Sequence, residues 1–211
     1  LLGQLKIGIK NGLYALIVLL CLVVTKIFFR IRVIGRENIA KDTGYIAVAR
    51  HRSYWDPPVV SVAIGALTPV HYISRKGLMN GVPVMQAIVR TFSTIIDREN
   101  FSRDDFRRVL AAMKQHRIIG LFPEGTTRES VEAKTGVIHF ARLSGKQILP
   151  VNIMADGPYP STRRFRFSRL TVAIGKPFDV AELSTGDIAG KPRADQHQQM
   201  SELLMLRVDN A

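Results

Sequence analysis

Seven short runs of β-branched and aliphatic residues recur along the chain, at 30–34, 45–49, 70–74, 93–96, 118–122, 148–153 and 170–174, and each predicts a strand. Between them the apolar positions return every three or four residues, as helices require. A helix over 59–67 is expected behind Asp56-Pro57, read as an N-cap followed by a first-turn proline. Another over 106–115 opens on the capping box Ser102-Arg-Asp-Asp105, one over 137–143 ends at Gly145, and a C-terminal one over 194–208 follows a loop at 186–193. Strands alternating with helices predict an α/β domain with a mixed, largely parallel central sheet of about seven strands flanked by helices. In such folds ligands sit beyond the carboxyl ends of the strands. No internal repeat, low-complexity segment or interdomain linker interrupts the pattern.

The first 29 residues follow a different pattern. From Leu13 to Val24 the chain reads LYALIVLLCLVV without a charge, Thr25-Lys26 interrupt it, and Ile27-Phe28-Phe29 resume. Twelve helical residues reach roughly 18 Å, against about 30 Å of hydrocarbon in a bilayer. Upstream, Leu2, Leu5, Ile9 and Leu13 share one helical face with Lys6 and Lys10 off it, the pattern of an interfacial helix. Basic residues flank the run on both sides, and no small-residue cleavage site follows it. These features predict a membrane-anchoring segment over 1–29, as a helical hairpin dipping into one leaflet in preference to a single span, ahead of the α/β domain over 30–211.

Charge adds a direction to this picture. Thirty Lys and Arg against 17 Asp and Glu leave a net charge of +13, on a chain that is 46% hydrophobic and so able to bury a full core. A globular body this basic attracts something anionic: nucleic acid, an acidic membrane face or phosphorylated substrates. The lone Cys21 excludes an internal disulfide and a cysteine-based zinc cage.

Two predicted strand ends carry candidate chemistry. After 45–49 comes Arg50-His51-Arg52-Ser53-Tyr54-Trp55-Asp56, where a turn can bring the carboxylate to one imidazole nitrogen and leave the other to take a proton. That spacing is weak alone, since His197 and Glu202 repeat it by chance and Asp56 has a role as a helix cap. After 118–121 comes Phe122-Pro-Glu-Gly-Thr-Thr-Arg128, in which glycine allows close approach to a ligand and arginine can hold a phosphate. Both loops would face one crevice.

Together these blocks resemble the glycerolipid acyltransferase family typified by 1-acylglycerol-3-phosphate O-acyltransferase. His51 to Asp56 fits its His-x-x-x-x-Asp motif, 93–98 (STIIDR) its second block, 122–125 (FPEG) its third and 148–151 (ILPV) its fourth, in the same order. The resemblance implies that His51 is the general base toward a glycerol hydroxyl and that Asp56 orients it. It places Arg98, Glu124, Gly125 and Lys76 at the acceptor's phosphate, with Arg128 beside them and Glu124 steering an arginine. The chain departs from the family pattern in having Arg50 before the histidine, where asparagine is usual, and in placing Arg128 one position late.

The implied reaction transfers an acyl chain from acyl-CoA or acyl-carrier protein to the sn-2 hydroxyl of 1-acylglycerol-3-phosphate, giving phosphatidic acid. It needs no metal and no cofactor beyond that co-substrate. Glycerol-3-phosphate or another lysolipid would suit the same chemistry, and a non-catalytic basic membrane-binding module remains the alternative of another class. Arg163, Arg164, Arg166 and Arg169 interleave with Phe165 and Phe167. Beside an apolar head, this pattern favours anionic membrane lipids as partner over nucleic acid. The expected place is the inner, cytoplasmic face of the cell membrane.

Overall fold

The computed structural model describes residues 2–80, 82–123, 131–160, 167–184 and 193–211. Its seven strands are β1 (Arg32–Ile34), β2 (Tyr45–Val48), β3 (Val70–Arg75), β4 (Ser93–Ile96), β5 (Ile118–Leu121), β6 (Gln147–Asp156) and β7 (Arg169–Ile174). The helices are α1 (Leu2–Phe28), α2 (Asp56–Ile64), α3 (Pro83–Phe92), α4 (Arg103–Gln115), α5 (Val131–Ser144) and α6 (Arg193–Asp209). All seven predicted strands form. They join one sheet in the order β1-β7-β6-β2-β5-β3-β4, in which every pairing is parallel except β6 with β7.

Alternation along the central strands divides the interior in two. Tyr45, Ala47 and Ala49 face a cluster shared with Tyr14 and Val18 of α1 and Val59, Val62 and Ala63 of α2. Ile46 and Val48 face the opposite cluster, with Val109 and Met113 of α4, Ile138 of α5 and Leu204 of α6. A strand buried on both faces belongs in the middle of a parallel sheet. The capping box forms as expected: the Asp105 amide donates to Ser102 Oγ at 3.1 Å and the Ser102 amide to Asp105 Oδ2 at 3.0 Å. Gly145, at φ +65°, closes α5 in the left-handed conformation that glycine adopts without penalty.

The amino-terminal hairpin does not form. Leu2–Phe28 is one continuous helix, because no proline interrupts it and Asn11-Gly12 stays helical. The Thr25 hydroxyl donates back to the carbonyls of Cys21 and Leu22, at 2.8 and 3.1 Å, so Thr25-Lys26 stays helical. The helix ends at Phe28, and Arg30, at φ +46°, turns the chain toward β1. By length and composition α1 is able to cross a membrane. One side of it lies against the body, from Lys10 over the Phe92 ring to Phe28 on Phe167, a contact about 27 Å long. Tyr14, Val18 and Thr25 are buried on the inner side. Leu13, Leu16, Leu19, Leu20, Val23 and Ile27 on the other side remain exposed.

Candidate active site

The carboxyl ends of β2, β5, β3 and β4 make one rim of the sheet, and the sequence-predicted residues collect there. His51 follows β2 by three positions, and Asp56 begins α2. Asp56 is not the helix cap the sequence suggested; Trp55 holds that position without a side-chain cap bond. The Asp56 carboxylate turns back into the loop instead, where its Oδ2 accepts from the amides of Arg52 and Ser53, both at 2.6 Å. The same oxygen lies 3.1 Å from His51 Nδ1. Asp56 is wholly buried, whereas the His51 side chain keeps 28% exposure. Such a carboxylate fixes the tautomer with the proton on Nδ1. Among the described residues nothing bonds Nε2, which is left to act on a bound molecule.

Phe122, the first residue of the Phe-Pro-Glu-Gly block, lies beside that imidazole with ring centroids 4.7 Å apart. Its other neighbour is Tyr72, whose ring stacks parallel at 6.0 Å. Tyr72 lies flat because Gly120 has no side chain; a Cβ there would collide with the ring. The two predicted loops therefore converge through pairing of β2 with β5, which sets Val48 opposite Leu121. Glu124, Gly125 and Arg128 lie outside the described residues, as do Arg163, Arg164, Phe165 and Arg166.

Further along the rim, Lys76 directly follows β3 and Arg98 lies two positions beyond β4. Arg75, the last residue of β3, joins them and was not singled out from sequence. Burial, and then the neighbouring Arg75 charge, pull the Arg98 guanidinium below its usual range. Among the described residues no carboxylate pairs with Arg75, Lys76 or Arg98. Neighbouring cations at a strand end favour a bound anion.

Tyr159 escaped sequence reasoning, and Arg50 was noted there without a partner. Tyr159 donates its hydroxyl to Asp56 Oδ1 at 2.7 Å. Arg50 holds Asp209 of α6 through two bonds, Nε to Oδ1 at 2.6 Å and Nη2 to Oδ2 at 2.7 Å. That pairing accounts for an arginine in front of the histidine. It also holds the Asp209 carboxyl below its ordinary range.

The acyltransferase family model matches residues 30–154, which include His51, Asp56, Lys76 and Arg98. The chain belongs to the acyltransferase family. This acyltransferase is 26% identical over 180 residues to the 1-acyl-sn-glycerol-3-phosphate acyltransferase of Bacillus subtilis, covering 84% of the chain and 86% of that protein. It is 29% identical over 168 residues to the protein of the same name from Salmonella typhimurium, covering 75% and 67%. The crystal structure of the 1-acyl-sn-glycerophosphate (LPA) acyltransferase PlsC from Thermotoga maritima superimposes with a TM-score of 0.60, at 20% identity and 96% coverage of both chains. That likeness bears out the fold, a mostly parallel seven-stranded sheet with an apolar amino-terminal helix.

Proposed function

We propose that this acyltransferase moves an acyl chain from the thioester of acyl-CoA or acyl-carrier protein to the sn-2 hydroxyl of 1-acylglycerol-3-phosphate, giving phosphatidic acid for phospholipid synthesis. The observation that carries the reading is the His51–Asp56 pair, with Nδ1 committed to a buried carboxylate and Nε2 open at the rim. His51 Nε2 takes the hydroxyl proton as the oxygen attacks the thioester carbonyl. The tetrahedral oxyanion then collapses, the carbon–sulfur bond breaks, and the imidazolium returns its proton to the departing thiolate. Asp56 stabilises the imidazolium in between. No step calls for a metal or a further cofactor.

The acceptor's phosphate fits the cationic corner of Arg75, Lys76 and Arg98, and the family resemblance gives Glu124, Gly125 and Arg128 a part in holding it. From the end of β2 to the end of β4 is three strand spacings, about 14 Å, which the glycerol phosphate and a long guanidinium arm together bridge. α1 supplies the anchor over residues 1–29, ahead of the chemistry carried by 30–211. Its outward leucines lie in the hydrocarbon of one leaflet while its inner face holds the body, and the +13 charge favours the acidic cytoplasmic side. A lysolipid then reaches His51 without leaving the membrane.

Thiol release from acyl-CoA across a panel of lysophosphatidic acid, glycerol-3-phosphate and uncharged lysolipids tests the assignment. Lysophosphatidic acid is expected to be the preferred acceptor, and His51→Ala to lose at least about 10²-fold in turnover. A His51→Ala protein with near-normal turnover would overturn the mechanism. Preference for another acceptor would overturn the substrate.

A further inference from the structure

The fourth donor to Asp56 comes from more than a hundred positions away. β6 and β7 form the antiparallel pair of the sheet, so the connection between them returns over the same rim that carries His51. Tyr159 lies on that connection, in Gly157-Pro-Tyr-Pro160, where Ser168 Oγ ties the segment by donating to the Pro158 carbonyl at 2.6 Å.

The bonds on Asp56 are divided unequally. Oδ2 takes the two loop amides and His51, while Oδ1 has Tyr159. A wholly buried carboxylate oxygen without a donor is desolvated and unmatched, and the group then rotates or takes up a proton. Either response releases His51 from its tautomer. Tyr159 keeps its own proton, because burial and the adjacent Asp56 charge push the phenol well above its ordinary value.

Its ring is held on two sides. The Arg52 guanidinium lies over it at 5.8 Å while donating to the Ile153 carbonyl, and Phe29, just past α1, meets it edge-on at 6.4 Å. Phe29 also packs on Trp55 and Phe167, with ring centroids 5.2 and 5.0 Å apart.

We propose that Tyr159 is a positioning residue for the acyl-transfer pair, holding Asp56 through Oδ1 so that Oδ2 stays aligned on His51, with Phe29 seating the tyrosine at the carboxyl end of the anchor helix. The proposal rests on the acyltransferase reading of the site. Its test does not depend on which acceptor is used.

Tyr159→Phe keeps the ring and its packing and removes only the hydroxyl. With that donor gone Asp56 rotates or takes up a proton, His51 loses the facing charge and holds its own proton less tightly, and the acid limb of kcat/KM moves to lower pH. The expected result is a fall in kcat of about tenfold to a hundredfold with acceptor KM nearly unchanged. Histidine-labelled protein in micelles, assigned with His51→Gln, should show the His51 NMR titration displaced downward by about half a unit or more. Thermal melting of both proteins is measured alongside. An unmoved titration overturns the proposal, even if turnover falls with a lower melting temperature, because the hydroxyl then serves stability alone. Failure of the wild type to acylate any lysolipid would overturn the substrate reading, while the titration still decides the role of Tyr159.

Discussion

Replacing Asp56 by asparagine separates the charge of the carboxylate from its place in the loop. An amide can keep its oxygen toward Arg52 N, Ser53 N and His51 Nδ1 and turn its amino group to the Tyr159 oxygen, which is able to accept. The loop survives, but the imidazolium formed during proton transfer loses its counter-ion. A hydrogen bond to a charged group exceeds a neutral one by about 1–2 kcal/mol, and shielding from water adds to this. A loss of roughly 2–4 kcal/mol, or about 30- to 1000-fold in kcat, is expected with little change in KM. Asp56→Ala is a poorer probe: it leaves two amides and a hydroxyl without an acceptor, at about 1–3 kcal/mol each, from a total stability of about 5–15 kcal/mol. Thiol release over mixed vesicles gives the rate, and a thermal melt reports the fold. An Asp56→Asn enzyme that melts normally and turns over within about threefold of wild type would refute the role given to the carboxylate.

Arg98→Ala should raise KM about tenfold or more for a phosphate-bearing acceptor, and an equal rise with an acceptor lacking phosphate would contradict phosphate binding. Leu16 and Leu20 face outward from α1, at 55% and 59% exposure. Changing both to aspartate should weaken vesicle binding by at least about a hundredfold in a flotation assay while leaving the melt intact, since each leucine transfers about 1.5–3 kcal/mol into lipid. Undiminished flotation would show that the basic body suffices. His71 is buried, stacked on His116 at 3.9 Å, bonded through Nε2 to Thr94 Oγ1 at 2.9 Å and near Lys10, and its pKa is pushed down to about 3, chiefly by burial. The unfolded chain takes up this proton near pH 6.5 and the folded one only near 3, so stability should fall as pH drops through that window. His71→Gln should flatten the fall in acid melts, and an unchanged slope would refute the assignment.

The strands were legible because each is a short β-branched run bounded by turn residues, and the capping box because Ser102 and Asp105 identify each other locally. The direction of β7 was not, since antiparallel return is decided by pairing across the sheet. α3 begins at Pro83, behind Gly81-Val82, and its ten residues alternate polar and apolar too briefly to announce themselves. In the site, His51 and Asp56 could be paired from spacing, yet Asp-Pro-Pro before an apolar run imitates a helix cap. Only the folded loop reveals that two backbone amides claim the carboxylate first. Tyr159 gave no signal, and Arg50 showed only as a departure from the family pattern: each acts on a partner more than a hundred residues distant, which no window along the chain contains.

The bond between Arg50 and Asp209 joins positions 159 residues apart. In a chain made from its amino end, α1 is available to a membrane while most of the body is still to be synthesised. The peptide next to His51 meets its bidentate partner only when the last turn of α6 exists. Under the proposed function anchoring thus precedes completion of the turn that carries His51, and a chain halted before α6 would hold the apolar helix without that turn secured. Order of synthesis would then separate arrival at the proposed membrane site from closure of the turn around His51.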